Sequence, residues 1–224
     1  MIEDIRNQWK KYKVERVSAD SKTQLIDSLL FAKLLGGLTM DFKYYVDYFS
    51  MLEERLYNMK RYITFVEENL NTFSIELASI INDCCGLING FCTELCQEKQ
   101  KQVEGKTKTK FDIRDYKKML QQGDYLIETL VYVGKFKIQP WEDCVVNKTN
   151  NVNINWWKAY NSIKHSGKPN FSQATLKNAF SCMAGMFALL TMYDFKIMTN
   201  TMVNWRRLFS YAGNYYNNVS WKCN

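Results

Sequence analysis

The sequence predicts an all-α fold, an antiparallel bundle of four to six helices with a small β-hairpin excursion near residues 126–138. Three observations carry that expectation. Only two prolines, Pro140 and Pro169, and ten glycines interrupt 224 residues, too few for a turn-rich β sandwich. Long stretches place apolar residues three and four apart, the period of a helix face. One short stretch alone switches to alternation around a glycine, the period of a strand. With 46% apolar residues the chain can bury one sizeable core. The expected organisation is a single helical domain over residues 1–224, with an N-terminal helix in 1–39, a core of about 40–192, and a C-terminal helix and tail over 193–224.

In chain order, Asp20-Ser21 caps a helix over residues 21–35 that Gly36-Gly37 ends. Phe42, Tyr45, Phe49, Leu52, Leu56, Met59, Ile63 and Val66 then form one unbroken stripe along a long amphipathic helix. Asn71 or Thr72 caps the next, on which Phe73, Leu77, Ile80, Cys84, Leu87, Phe91 and Leu95 share a face, so the two helices pair as an antiparallel hairpin. The lysine-rich run QEKQKQVEGKTKTKFDIRDYKK, residues 97–118, reads as a solvated connecting loop rather than a dedicated RNA patch. A short helix follows over 112–122, and LIETLVYVGKFKIQP, residues 126–140, holds the hairpin around Gly134. A polar loop over 142–155 leads into a helix opened by Trp156 and broken at Pro169. Asn170 or Ser172 caps the last clear helix, with Leu176, Phe180, Met183, Phe187 and Leu190 on its buried face. The aromatic tail WRRLFSYAGNYYNNVSWKCN, residues 205–224, follows no clean period and is expected to pack on the bundle or mediate assembly.

Composition bounds the function. Thirty basic against 23 acidic side chains give +7, a balance that attracts polyanions without identifying one. Seven cysteines and no apolar segment behind a basic start argue for a reducing, cytoplasmic compartment. Cys84, Cys85, Cys92 and Cys96 match neither paired zinc spacing, and there is one histidine in the chain, so neither metal nor other cofactor is expected. The apolar run at residues 179–193 stops at Asp194, short of the roughly 18 to 20 residues a bilayer span needs, so it is expected to be a buried helix and no membrane association is expected.

The chemistry concentrates in WWKAYNSIKHSG, residues 156–167. On a helix Trp157, Tyr160, Asn161, Lys164 and His165 recur at three and four and converge on one side, while Trp156, Ala159 and Ile163 pack inward. A neutral imidazole can take or give a proton, a lysine can hold a phosphate oxygen, and an amide can orient either. Those are the tools of a metal-independent ribonuclease. The same histidine can instead cap a helix C-terminus, a reading that Gly167 and Pro169 support. A small-ligand pocket lined by Trp141, Trp156 and Trp157 is a further alternative.

Pro140-Trp141, then WW-x-x-YN-x-x-KH at 156–165, then Phe171 and the alanine-rich helix over 174–190, resembles the C-terminal half of uncharacterised bacterial proteins of the HEPN-like superfamily. ENLNTFSIELASIINDCC at residues 68–85 and DIRDY at 112–116 are similar to the same group, so the likeness covers about residues 40–192. The resemblance implies four or five antiparallel helices, often paired as a homodimer, with the polar motif near the dimer cleft. It further implies an RNA-directed protein in a toxin–antitoxin or phage-defence setting, partnered by a cognate antitoxin or another protein, or else a non-catalytic interaction module. Carried over residue by residue, Asn161 matches the polar position and His165 the histidine, with Lys164 as phosphate contact and Trp157 and Lys168 in support. Tyr160 stands where the family has arginine, and a tyrosine supplies no bidentate cation. Either Lys164 takes that role or the site binds without cutting.

Overall fold

The computed structural model describes residues 41–104, 110–120, 125–144, 153–165, 170–193 and 208–211, all within the compact unit Thr39–Asn224. The helix expected over 21–35 lies outside the described residues. The fold is all-α with a small antiparallel sheet. Helix α1 spans Phe42–Asn58, α2 Ile75–Glu104, α3 Ile113–Leu120 and α4 Tyr125–Glu128. Strands β1, Val131–Val133, and β2, Phe136–Ile138, follow, then α5, Asn155–His165, α6, Leu176–Tyr193, and β3, Phe209–Tyr211.

The stripe on α1 buries Tyr45, Phe49, Leu52 and Leu56, as its spacing requires. The helix is shorter than that stripe. It ends at Asn58, a single 3-10 turn follows at Met59–Arg61, and Ile63 and Val66 lie outside any helix. The β-branched run Ile63, Thr64 and Val66 favours extended backbone, and the chain must reverse within a few residues to start α2. There the cap is Ser74, whose Oγ accepts from the Leu77 N–H at 3.1 Å, rather than Asn71 or Thr72. Phe73 accordingly sits outside the helix and exposed, bridging antiparallel to Thr175. The remaining residues of the expected α2 face, Leu77 to Leu95, are buried.

Polar clamps hold α1 and α2 antiparallel. Arg55 on α1 donates to Glu76, Ser79 and Asp83 on α2 at 2.7 to 3.0 Å, and Tyr45 donates to Glu94 at 2.6 Å. The α2 helix runs through Lys99 and Lys101 to Glu104, so the lysine-rich segment is in part helix rather than loop. Lys117, on α3, is buried. Residues 105–109 lie outside the described residues.

Helix α6 is apolar nearly all round and buried almost throughout, the pattern of a central helix. Its cap is Thr175, which accepts from the Asn178 N–H at 3.2 Å, while Asn170 precedes a separate 3-10 turn at Phe171–Gln173. The starts of α2 and α6 adjoin: the Leu176 and Lys177 N–H groups donate to Thr72 and Leu70 carbonyls, each at 2.9 Å. Ile75–Glu98 is long and apolar enough to cross a membrane, by length and composition; in the fold its apolar side packs against α1, α5 and α6.

The hairpin forms where alternation places it. β1 and β2 pair antiparallel with Val133 opposite Phe136, and Gly134 takes φ 59°, a left-handed conformation that suits glycine in a two-residue turn. The tail adds a strand that its sequence did not announce. β3 pairs antiparallel with β1 on the side away from β2. Phe209 packs between Phe49 and Phe187, and the buried Glu53 carboxylate accepts from the Leu208 N–H at 2.9 Å. The rest of the tail, with the expected C-terminal helix beyond Tyr193, lies outside the described residues.

Candidate functional site

Helix α5 is fixed in rotation by its inner face. Trp156, Ala159 and Ile163 are buried, and the Trp156 indole N–H donates to the Pro140 carbonyl at 2.7 Å. Trp141 stacks edge-on to Trp156 at 5.2 Å and donates its own N–H to the Gly185 carbonyl of α6 at 3.1 Å. A Cβ at Gly185 would lie 3.2 Å from Trp156, so glycine there lets the two indoles close on α6. The ligand pocket expected from Trp141, Trp156 and Trp157 is therefore absent, because the first two are sealed in the core.

With those residues inward, Trp157, Tyr160, Asn161 and Lys164 line one wall of a cleft of about 410 Å³. Lys164 donates to the Tyr160 hydroxyl at 3.0 Å and lies 5.2 Å from its ring centroid. Among the described residues no carboxylate lies within ion-pair distance of Lys164. His165 is the last residue of α5, one helical turn beyond Asn161 and hence on its side of the helix; its side chain lies outside the described residues, as does Lys168.

The opposite wall was not assigned from sequence. It consists of Asn89 from α2 and the segment Phe111–Arg114 that starts α3. Asp112 caps α3: its carboxylate accepts from the Arg114 N–H at 2.8 Å, and Asp115 returns the bond to the Asp112 N–H at 2.9 Å, a reciprocal capping box. The Arg114 guanidinium folds back on the Asp112 carboxylate through Nε and Nη2, at 2.5 to 3.2 Å. Nη1 has no hydrogen-bond partner among the described residues. Within DIRDY this arginine carries no signal of a site; its proximity to α5 arises from tertiary packing, which no local spacing encodes.

Hydrogen bonds from Arg114 hold the Asp112 carboxyl at about 2, below its ordinary 3.8. A depressed carboxyl stabilises the folded state above the ordinary value and loses that contribution as pH falls through the folded one. The pair is 68% and 45% exposed, so screening keeps its contribution to stability small. Following the Asp112 carboxyl carbon by NMR should give a midpoint near pH 2, and a midpoint near 3.8 would show that the pair does not form.

Between the walls, Tyr116 of α3 is fully buried. Its hydroxyl donates to the Asn89 side-chain oxygen at 2.7 Å and accepts from Thr93 at 2.8 Å. Its ring meets Trp157 edge-on at 6.5 Å. The arrangement presents two cations, one of them paired with the Asp112 carboxylate, together with two amides and aromatic surface around one cleft. Among the described residues no cysteine lines the cleft. Cys84 and Cys85 meet Cys182 at the contact of α2 with α6, where burial pushes the first two thiols well up, and no three His, Cys, Asp or Glu side chains converge as a metal site among the described residues.

No family model, curated protein or solved structure matches the chain.

Proposed function

We propose that the chain is an RNA-directed helical protein of HEPN-like character, and that its cleft holds a phosphodiester for metal-independent cleavage. The observation that supports this reading is the meeting of Arg114 with the polar face of α5 across one cleft. A guanidinium absent from the α5 motif is supplied by α3, so Tyr160 at the expected arginine position does not leave Lys164 as the sole cation. In this reading Arg114 and Lys164 bind phosphate oxygens, Asn161 and Tyr160 position the strand, and His165 transfers the proton. The 2'-hydroxyl attacks the adjacent phosphorus as it loses its proton, and the 5'-oxygen leaves as it gains one. The products carry a 2',3'-cyclic phosphate and a 5'-hydroxyl. A homodimer that brings two such clefts together, and control by a partner protein, belong to the same proposal.

Purified protein and its His165→Ala variant, incubated with mixed cellular RNA in EDTA, test it. Wild type should cut and leave cyclic phosphate ends, and the variant should be about 10²- to 10⁴-fold slower, the usual contribution of a general acid–base. Equal rates would remove His165 from the chemistry. Binding without cleavage by both proteins would instead favour the non-catalytic module, with His165 as a helix cap.

A further inference from the structure

We infer that the half-buried Trp157 indole is a stacking platform for one unpaired RNA base, with the Asn89 amide donating to that base's edge. This rests on the RNA reading of the cleft and specifies what the cleft selects: single strand over duplex. Of the three tryptophans around the start of α5, Trp141 and Trp156 are sealed in the core, and Trp157 alone lines the cleft. Its ring is held by neighbours at three places, with Trp156 at 5.7 Å, Tyr160 at 5.3 Å and Tyr116 at 6.5 Å. A ring so braced loses little freedom when a base lies on it.

Asn89 is tied to the same brace. Tyr116 donates to its side-chain oxygen, and the amide keeps both N–H donors to offer a ligand. Arg114 and Lys164 add cationic donors at the same cleft, the Asp112 carboxylate there being engaged by Arg114 through Nε and Nη2. A set of donors beside a fixed indole suits a ring bearing carbonyl or ring-nitrogen acceptors joined to phosphate, which describes a nucleotide. The volume of about 410 Å³ lies within the roughly 300 to 1,000 Å³ range of small-ligand sites. A base paired within a duplex has both faces stacked and cannot reach the indole.

The test uses 2'-O-methyl hexamers, which bind without being cut, and compares a base-bearing strand with one of identical backbone and charge that lacks every base. Fluorescence anisotropy with wild-type protein should show the base-free strand binding about 10- to 100-fold more weakly, the usual effect of losing a stacked base. A duplex of the same length should bind no better than the base-free strand. Trp157→Leu should bring the base-bearing strand to the base-free affinity, and Trp157→Phe should restore most of the difference. The comparison in wild-type protein holds even where a variant folds poorly. Equal affinity for base-bearing and base-free strands, with binding still weakened by Arg114→Ala, would overturn the stacking platform and leave the RNA reading standing. Failure of wild type to bind either strand would overturn both.

Discussion

Replacing Arg114 with alanine is expected to weaken single-stranded RNA binding by about 10- to 100-fold and to flatten its salt dependence by about one phosphate contact. Arg114 engages Asp112 through Nε and Nη2 only, so Nη1 can meet an oxygen of the strand without breaking the capping pair. The alternative cation, Lys164, is a point charge without the planar geometry that lets Arg114 hold Asp112 and a strand oxygen at once. Arg114→Lys should therefore fall between wild type and alanine, keeping the charge and losing the geometry. The helix itself should survive, because the cap of α3 comes from Asp112 and Asp115. Anisotropy titrations at several salt concentrations measure both quantities. Unchanged affinity with an unchanged slope would place the phosphate elsewhere.

Replacing Trp141 with alanine should destabilise the fold by about 3 to 5 kcal/mol, the usual cost of emptying a large aromatic site in a core. Trp141 is fully buried, packs on Trp156 and donates to the Gly185 carbonyl. Its removal leaves a void beneath α5 as well as one lost hydrogen bond. Urea unfolding should show a lower midpoint at an unchanged slope. A loss below about 1.5 kcal/mol would mean that the site collapses around the void. Because Trp141 sets where Trp156 lies, it is also the foundation on which the polar face of α5 stands.

The helical class and the hairpin were legible because both follow from periodicity. Leu77 to Leu95 and Leu176 to Leu190 lie buried where their spacing put them, and Gly134 marks the turn. The ends of elements were less legible. Ile63 and Val66 continued the α1 pattern although the chain had already turned at Met59, since a stripe of apolar residues does not reveal where the next helix must begin. Ser74 and Thr175 capped their helices in preference to Asn71 and Asn170 because the bridge between Phe73 and Thr175 fixes both starts at once. β3 was hidden because its burial depends on Glu53, 155 residues away in sequence from Leu208.

For the cleft, one wall was legible and one was not. Trp157, Tyr160, Asn161 and Lys164 sit on a single helix, so their convergence follows from the 3.6-residue turn. Asn89, Phe111, Asp112 and Arg114 reach them only through packing of α3 and α5 on α2. The acids flanking Arg114 in DIRDY announce a helix cap, and nothing in that pattern says which cavity the cap borders.

Photocrosslinking tests the central claim most directly. A short strand carrying one photoactivatable uridine would be irradiated on the wild-type protein in EDTA, and the attached peptides mapped by mass spectrometry. Crosslinks at Trp157, Phe111 or Tyr160, lost when Arg114 is replaced, are the expected result. Crosslinks confined to the lysine-rich segment around residues 99–110, with none in the cleft, would contradict it.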